Sequence, residues 1–444
     1  MRRAQDENGV PAPTGAELAD HLEHLLLTPE AVLGDGLRYL HDRLAGCSPI
    51  DVADELSAEV RRRGLPSAGL RRLGRALAEQ GTHRTAVKTG LVLLGLAGDA
   101  RDRDLLLLLG ALDELTLYAA IALHRSQPDG DQAVHTLAQR VAGWGRIQAV
   151  RTLRHTTDPT VRAWLLREGF RNAVMDEYLA HIAATTGDLR SALSGTDIDV
   201  SLLNGAGGIL AALAMSQGGP APGLADYPDA VPVLRRYAEL VRAGTPTIEI
   251  LSDLISVTVF LRNPPEDLPW APAETRCLID RYETLLNEPR WPALVLDHLA
   301  DPERPDFHLA LQPAAVLGLC PTALVLARLE TAPSLLDPTW IHALRTSDGE
   351  QTGYILGLAE RRLATMPRPE RDQALLLFAH FLGRHPGHGW PLLKSALTAC
   401  TPEARRTALT TLARWPADRL TPEAAEHLRS ARTQPQDNPQ ETRP

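Results

Sequence analysis

Fifteen basic side chains fall in two short stretches of this 444-residue chain, and guanidinium groups in such numbers are the means by which proteins hold carboxylates and phosphates. The first stretch contains Arg61, Arg62, Arg63, Arg71, Arg72, Arg75, Arg84 and Lys88, against Glu79 alone. The second runs from Arg140 to Arg171, with Arg146, Arg151, Arg154, Arg162 and Arg167 between them, against Asp158 and Glu168. With fifteen basic and three acidic groups the two stretches carry +12, which leaves −21 for the remainder of a chain whose net charge is −9. One reading is a binding face for an acidic partner, built from Arg61, Arg62, Arg71, Arg72, Arg75, Arg84, Lys88, Arg151 and Arg154. The bland reading is a set of solvated helix faces on which each arginine meets a nearby carboxylate.

Other constellations carry less. Lys88-Thr89 has the ending of a phosphate-binding loop, but Thr82 and Val87 stand where that loop needs glycines, so the backbone cradle does not form. Gly205 to Leu210 places a leucine at the third glycine position of a dinucleotide fingerprint and reads better as a helix connection or close helix packing. His380, His385 and His388 cluster around a Pro/Gly turn, Glu177 and His181 sit four apart, and His21 and His24 three apart; none completes a metal-ligand set. There is no G-x-S-x-G elbow. Cys47, Cys277, Cys320 and Cys400 are scattered, which fits reduced thiols better than a disulfide framework. The sequence therefore calls for no catalytic residue, no cofactor and no metal. Trp144 and Trp164 could stack bases, but tryptophans flanking a turn more often fill space between packed units.

The elements that position these residues are helices. Hydrophobic residues make up 44% of the chain and aromatics only 4%, so a core of Leu, Ala and Val is expected. From Gly145 to Arg154, Ile147, Val150 and Leu153 recur at spacings of three, with Ala149 beside them, as one helix face requires. Asp158 then suits an N-cap, Pro159 the first helical position, and Val161, Trp164 and Leu165 the buried stripe of the next helix. Arg146 precedes Val150 by four and Leu153 by seven and so points into the apolar sector. A charge there needs a carboxylate or several carbonyls, with Asp158 one candidate.

The same helix–turn–helix grammar recurs upstream, breaking at Gly98-Asp99 and at Pro128-Asp129-Gly130, and Leu96, Leu123 and Leu153 mark intervals of 27 and 30 residues that Ile182 and Leu213 extend. The stretch AVRTLRHTTDPTVRAWLL, with its Asp-Pro turn and Val-led second helix, resembles a HEAT or HEAT-like repeat. That resemblance covers roughly residues 76 to 195. It implies an α-solenoid of HEAT-like helical pairs, and with the less regular helical patterns read at both ends the expected fold is all-α. It also implies a concave surface for partners, and no single activity.

The expected organisation is a disordered tail over residues 1–14, a helical cap over 15–75, repeats over 76–195, a Gly/Pro-rich connector over 196–246, a helical region over 247–430 and a disordered tail over 431–444. Thr28-Pro29-Glu30, Thr401-Pro402-Glu403 and Thr421-Pro422-Glu423 read as helix starts. The N-terminus has no apolar run after its arginines, and the leucine run Leu105–Leu109 is too short to span a bilayer, so a cytoplasmic protein without membrane contact is expected. The leading functional expectation is a scaffold for a protein or peptide. The alternatives are a nucleic-acid binder or processing enzyme of the HEAT-like DNA glycosylase type, which the acidic net charge disfavours, and an enzyme with a small-molecule pocket between helices.

Overall fold

The computed structural model describes residues 13–27, 30–45, 49–219, 221–331 and 334–433, and among them there is no strand. Thr28, Pro29, Cys47 and the tails over 1–12 and 434–444 lie outside the described residues. The described ends of both expected tails are structured. Thr14 and Glu17 exchange side-chain to N–H hydrogen bonds of 2.8 and 3.2 Å that cap the first helix, and the last helix reaches Thr433.

Two compact units divide the chain, the described residues of Met1–Thr245 with Ser256–Leu285 forming one and those of Pro246–Ile255 with Leu286–Pro444 the other. The first opens with α1 (Gly15–Leu27), α2 (Glu30–Leu44), α3 (Pro49–Arg63), α4 (Ser67–Gln80) and α5 (Arg84–Ala97). It continues with α6 (Arg103–Gly110), α7 (Asp113–Ser126), α8 (Gly130–Arg140), α9 (Gly143–Thr152) and α10 (Pro159–Trp164). After a five-residue π-helical turn, Leu165–Gly169, follow α11 (Glu177–Thr186), α12 (Leu189–Ser194), α13 (Val200–Met215) and α14 (Ala230–Ala243). The division falls within α15 (Ile248–Arg262), and α16 (Pro272–Leu286) ends at the boundary of the first unit.

Leucine and alanine build this core, as the composition implies: Leu91, Leu94, Ala119, Leu123, Ile147 and Val150 have no exposed surface. α3, α5, α7, α9, α11 and α13 touch in chain order, and so do α6, α8 and α10. The residues that mark the sequence interval, Leu96, Leu123, Leu153, Ile182 and Leu213, lie toward the C-terminal ends of α5, α7, α9, α11 and α13 in turn, with Leu153 just past the end of α9. Small residues let these helices approach. A Cβ on Gly90 of α5 would come within 2.7 Å of the Ala78 nitrogen of α4.

A second regularity ties successive helix pairs. Arg71 and Arg75 of α4 bond the buried carboxylate of Asp102 at 2.6 and 2.8 Å. Arg103 of α6 reaches Asp129 at 2.7 Å, Gln132 of α8 reaches Asp158 at 2.8 Å, Arg167 reaches Asp199 at 2.9 Å and Arg190 reaches Asp229 at 2.7 Å. Each acceptor stands at the start of a later helix or of the turn before one. Burial pushes the Asp102 carboxyl up, but the bonds from Arg71, the Asp99 N–H and Arg75 outweigh it and hold the group below its ordinary range.

Asp158 accepts the N–H groups of Thr160 and Val161 at 2.8 and 3.0 Å, with Pro159 at the first helical position. Behind it Val161 and Leu165 are fully buried and Trp164 half-buried. The 196–246 region is more helical than its glycines suggest. Asn204 to Gly208 lie inside α13, which is buried from Gly205 to Ala214, and a Cβ on Gly205 would sit 2.0 Å from the Leu166 carbonyl oxygen of the π-helical turn. Glycine here permits contact between helices and is not a turn signal.

The second unit continues with α17 (Arg290–Leu299), α18 (Leu311–Val316), α19 (Thr322–Thr331), α20 (Pro338–Thr346), α21 (Gly349–Leu363), α22 (Arg368–Phe381), α23 (Trp390–Leu397), α24 (Pro402–Arg414) and α25 (Pro422–Thr433). The Asp-Pro-Thr of residues 158–160 recurs at Asp337-Pro338-Thr339. There Asp337 caps α20 and forms an ion pair with Arg328, which also donates to the Pro302 carbonyl at 2.7 Å. Thr421 caps α25 through its hydroxyl at 3.1 Å, whereas Thr401 makes no side-chain cap and its own N–H goes to Asp372.

Candidate functional site

Arg151 and Arg154, exposed along and just beyond the C-terminal end of α9, line a cleft between α9 and α7. Arg125 faces them from the end of α7, with His124 and His155 beside it. The three guanidinium groups have no carboxylate partner among the described residues; Arg154 Nε donates instead to the neighbouring His155 Nε2 at 3.1 Å. Asp131 is the single acidic residue of the lining. It accepts the Thr156 hydroxyl at 2.6 Å and lies 3.2 Å from His124 Nε2. Leu117 and Ile121 of α7 give the cleft an apolar wall. Unpaired arginines that converge in this way can accept an anion in place of water.

The remaining basic residues singled out in the sequence are disposed differently. Arg71 and Arg75 are committed to Asp102, and Arg75 also to Glu79. Arg62 pairs with Glu59 at 2.7 Å and Arg84 with Glu114 at 2.8 Å. The Lys88 ammonium lies 5.5 Å from the centre of the Tyr118 ring, which gives it a π face as partner. Arg61 and Arg72 are exposed on α3 and α4. Of the nine residues, the cleft brings together only Arg151 and Arg154.

Arg146 is held between helix ends. Its Nη1 donates to the Ala138 carbonyl at 3.3 Å and its Nη2 to the Glu168 carbonyl at 2.9 Å. Both carbonyls belong to C-terminal turns, where the helix leaves acceptors unsatisfied and its dipole favours a cation. Asp158 is not among its partners, because that carboxylate is taken up by its own helix and by Gln132. Burial lowers the Arg146 pKa, and Glu168 and Asp176 act in the opposite sense. Trp164 packs against His135, with ring centres 4.6 Å apart. Trp144 is half exposed and lies 5.1 Å from the Tyr178 ring of α11.

Arg125 is the residue that sequence reasoning passes over, since it falls between the two arginine-rich stretches. A signal for it exists. The 29-residue offset that relates Arg103 to Gln132 and Asp129 to Asp158 also relates Arg125 to Arg154. Among the described residues no three His, Cys, Asp or Glu side chains are grouped to hold a metal ion, and no helix is long and apolar enough to cross a membrane. No protein-family model matches the chain, and no curated protein matches it either.

Proposed function

We propose that the chain is a HEAT-like helical-repeat scaffold, an α-solenoid in its first unit, that binds a protein or peptide through the α7–α9 cleft and performs no chemistry on it. The observation that carries this reading is the contrast among the arginines. Along the ladder of turn aspartates they are paired, while Arg125, Arg151 and Arg154 line one cleft and none of them is paired with a carboxylate among the described residues. The ladder and the chain-order packing of the odd-numbered helices support the repeat reading, since each pair then buries its apolar face on the next. The exposed thiols of Cys277, Cys320 and Cys400 suit the reducing cytoplasm, where we place the protein.

The test is capture of partners by the tagged full chain from its host, alongside the Arg125→Glu/Arg151→Glu double variant. The expected result is a protein retained by the parent chain and lost with the variant. Retention of nucleic acid alone, resistant to nuclease only while bound, would replace this reading with the nucleic-acid one.

A further inference from the structure

The basic cleft is one half of a longer groove. On the other side of α7, between α7, α5 and α3, lies a pocket with Ala53, Leu91, Val92, Leu117, Tyr118 and Ile121 in its walls and Asp54 and Ser57 on its α3 side. It holds about 630 Å³ of empty space, part of it open to solvent. Gly95 and Ala122 line it where α5 and α7 close up: a Cβ on Gly95 would already stand 3.2 Å from the Ala122 Cα. Leu117, Ile121 and Arg125 line both this pocket and the basic cleft, so the two are compartments of one surface.

We infer that this groove takes an extended acidic peptide, one large apolar side chain entering the α3–α5–α7 pocket while neighbouring Asp or Glu carboxylates meet Arg125, Arg151 and Arg154. The inference rests on the scaffold reading and specifies its ligand. Charge complementarity selects the acidic half, with three arginines facing Asp131 as the only carboxylate of the cleft. The aliphatic part of the lining, Ala53, Leu91, Val92, Leu117 and Ile121, selects the apolar half, because burying a polar or charged group against it without a partner is costly. The spacing follows from helix geometry. Adjacent packed helices lie about 10 Å apart, and an extended chain advances about 3.3 Å per residue. The apolar residue and the acidic pair are therefore about three residues apart. A nucleic-acid strand fits less well, since continuing phosphates would run from the arginines toward Asp54 at the far rim of the pocket.

The experiment is selection of a random dodecapeptide display library on the immobilised full chain, followed by fluorescence anisotropy of the most enriched peptide. The expected enrichment is Leu, Ile, Met or Phe about three positions from paired Asp or Glu. Replacing the apolar residue by Ser, or the acidic pair by Gln, should each weaken binding at least tenfold. Arg125→Glu and Arg151→Glu should do the same with an unchanged thermal midpoint, and Val92→Ala should weaken binding as well, whereas the charge-matched Arg406→Glu on α24 should leave binding within twofold. Enrichment of basic peptides, affinity indifferent to the apolar residue, or no enrichment at all overturns the inference. If a host protein is still captured in any of those cases, the scaffold reading survives; if nothing is captured either, both fall.

Discussion

The Arg146 guanidinium lies against the face of Trp164, its central carbon 5.2 Å from the ring centre, while its nitrogens close the ends of two helices. The pair couples α9 to α10 and replaces a buried ion pair with a cation held by carbonyls and a π face. Arg146→Ala should cost about 2–3 kcal/mol, in the range of hydrogen bonds made by a charged group. Arg146→Lys should recover part of it, as an ammonium cannot span both carbonyls in the plane of a fork. Urea denaturation followed by circular dichroism measures both, and an unmoved midpoint for Arg146→Ala would contradict this account.

Asp102 is the most buried acceptor of the ladder, and its removal leaves Arg71 and Arg75 side by side. Asp102→Ala should destabilise by about 3–5 kcal/mol, as breaking a buried pair does, against about 0.5–2 kcal/mol for the cap residue in Asp158→Ala. The depressed Asp102 pKa sets a pH dependence. Its contribution is present in full above the unfolded carboxyl value of about 3.9 and fades as pH falls through the lower folded value. Acid titration of stability should be shallower in Asp102→Asn than in the parent, and parallel curves would exclude the role.

His135 is buried beside Trp164, and its Nε2 has no hydrogen-bond partner among the described residues. Burial lowers its pKa; Asp158 opposes that and Arg146 adds to it. The neutral ring is therefore the folded form. Stability from this site is complete above the unfolded histidine value of about 6.5 and declines as pH drops from there to the folded value. His135→Leu should show a smaller loss of stability between pH 7.5 and 5.5 than the parent chain. A loss of equal size in the variant would place the pH dependence elsewhere.

Two glycines should respond oppositely to alanine. Gly205→Ala forces a Cβ into the Leu166 carbonyl and should cost about 1–3 kcal/mol. Gly353, inside α21, has nothing within 4 Å of its added Cβ, so Gly353→Ala should stabilise by about 0.4–1 kcal/mol. Thermal melts of the two variants decide the matter by sign.

The helices and the Asp158-Pro159 turn were legible because apolar periodicity and cap chemistry are local properties. The Asp-Pro-Thr copy at 337–339 is equally legible, since the same cap chemistry recurs there. At Gly205–Leu210 the sequence left a helix connection and close helix packing both open, since glycine as a breaker and glycine as a packing residue look alike in one dimension, and the structure shows the packing role in α13. The arginines were the hardest to read. Arg71 and Arg151 are the same residue type in similarly basic stretches, yet one is bound by a carboxylate 31 positions away and the other faces open space. Only the fold distinguishes them.

One rung of the turn-aspartate ladder is an amide. Gln132 stands where Arg71, Arg75, Arg103, Arg167 and Arg190 stand in the others, so the joint between α8 and α10 carries no positive charge. Added salt weakens the surface ionic joints but leaves an amide–carboxylate bond nearly untouched. That joint adjoins α9, which supplies Arg151. The cleft is thus braced beside its own helix by a ladder rung that ionic strength barely loosens. A fall in ligand affinity with salt would then report the charges exchanged in the cleft, and not a slackening of the frame that holds them.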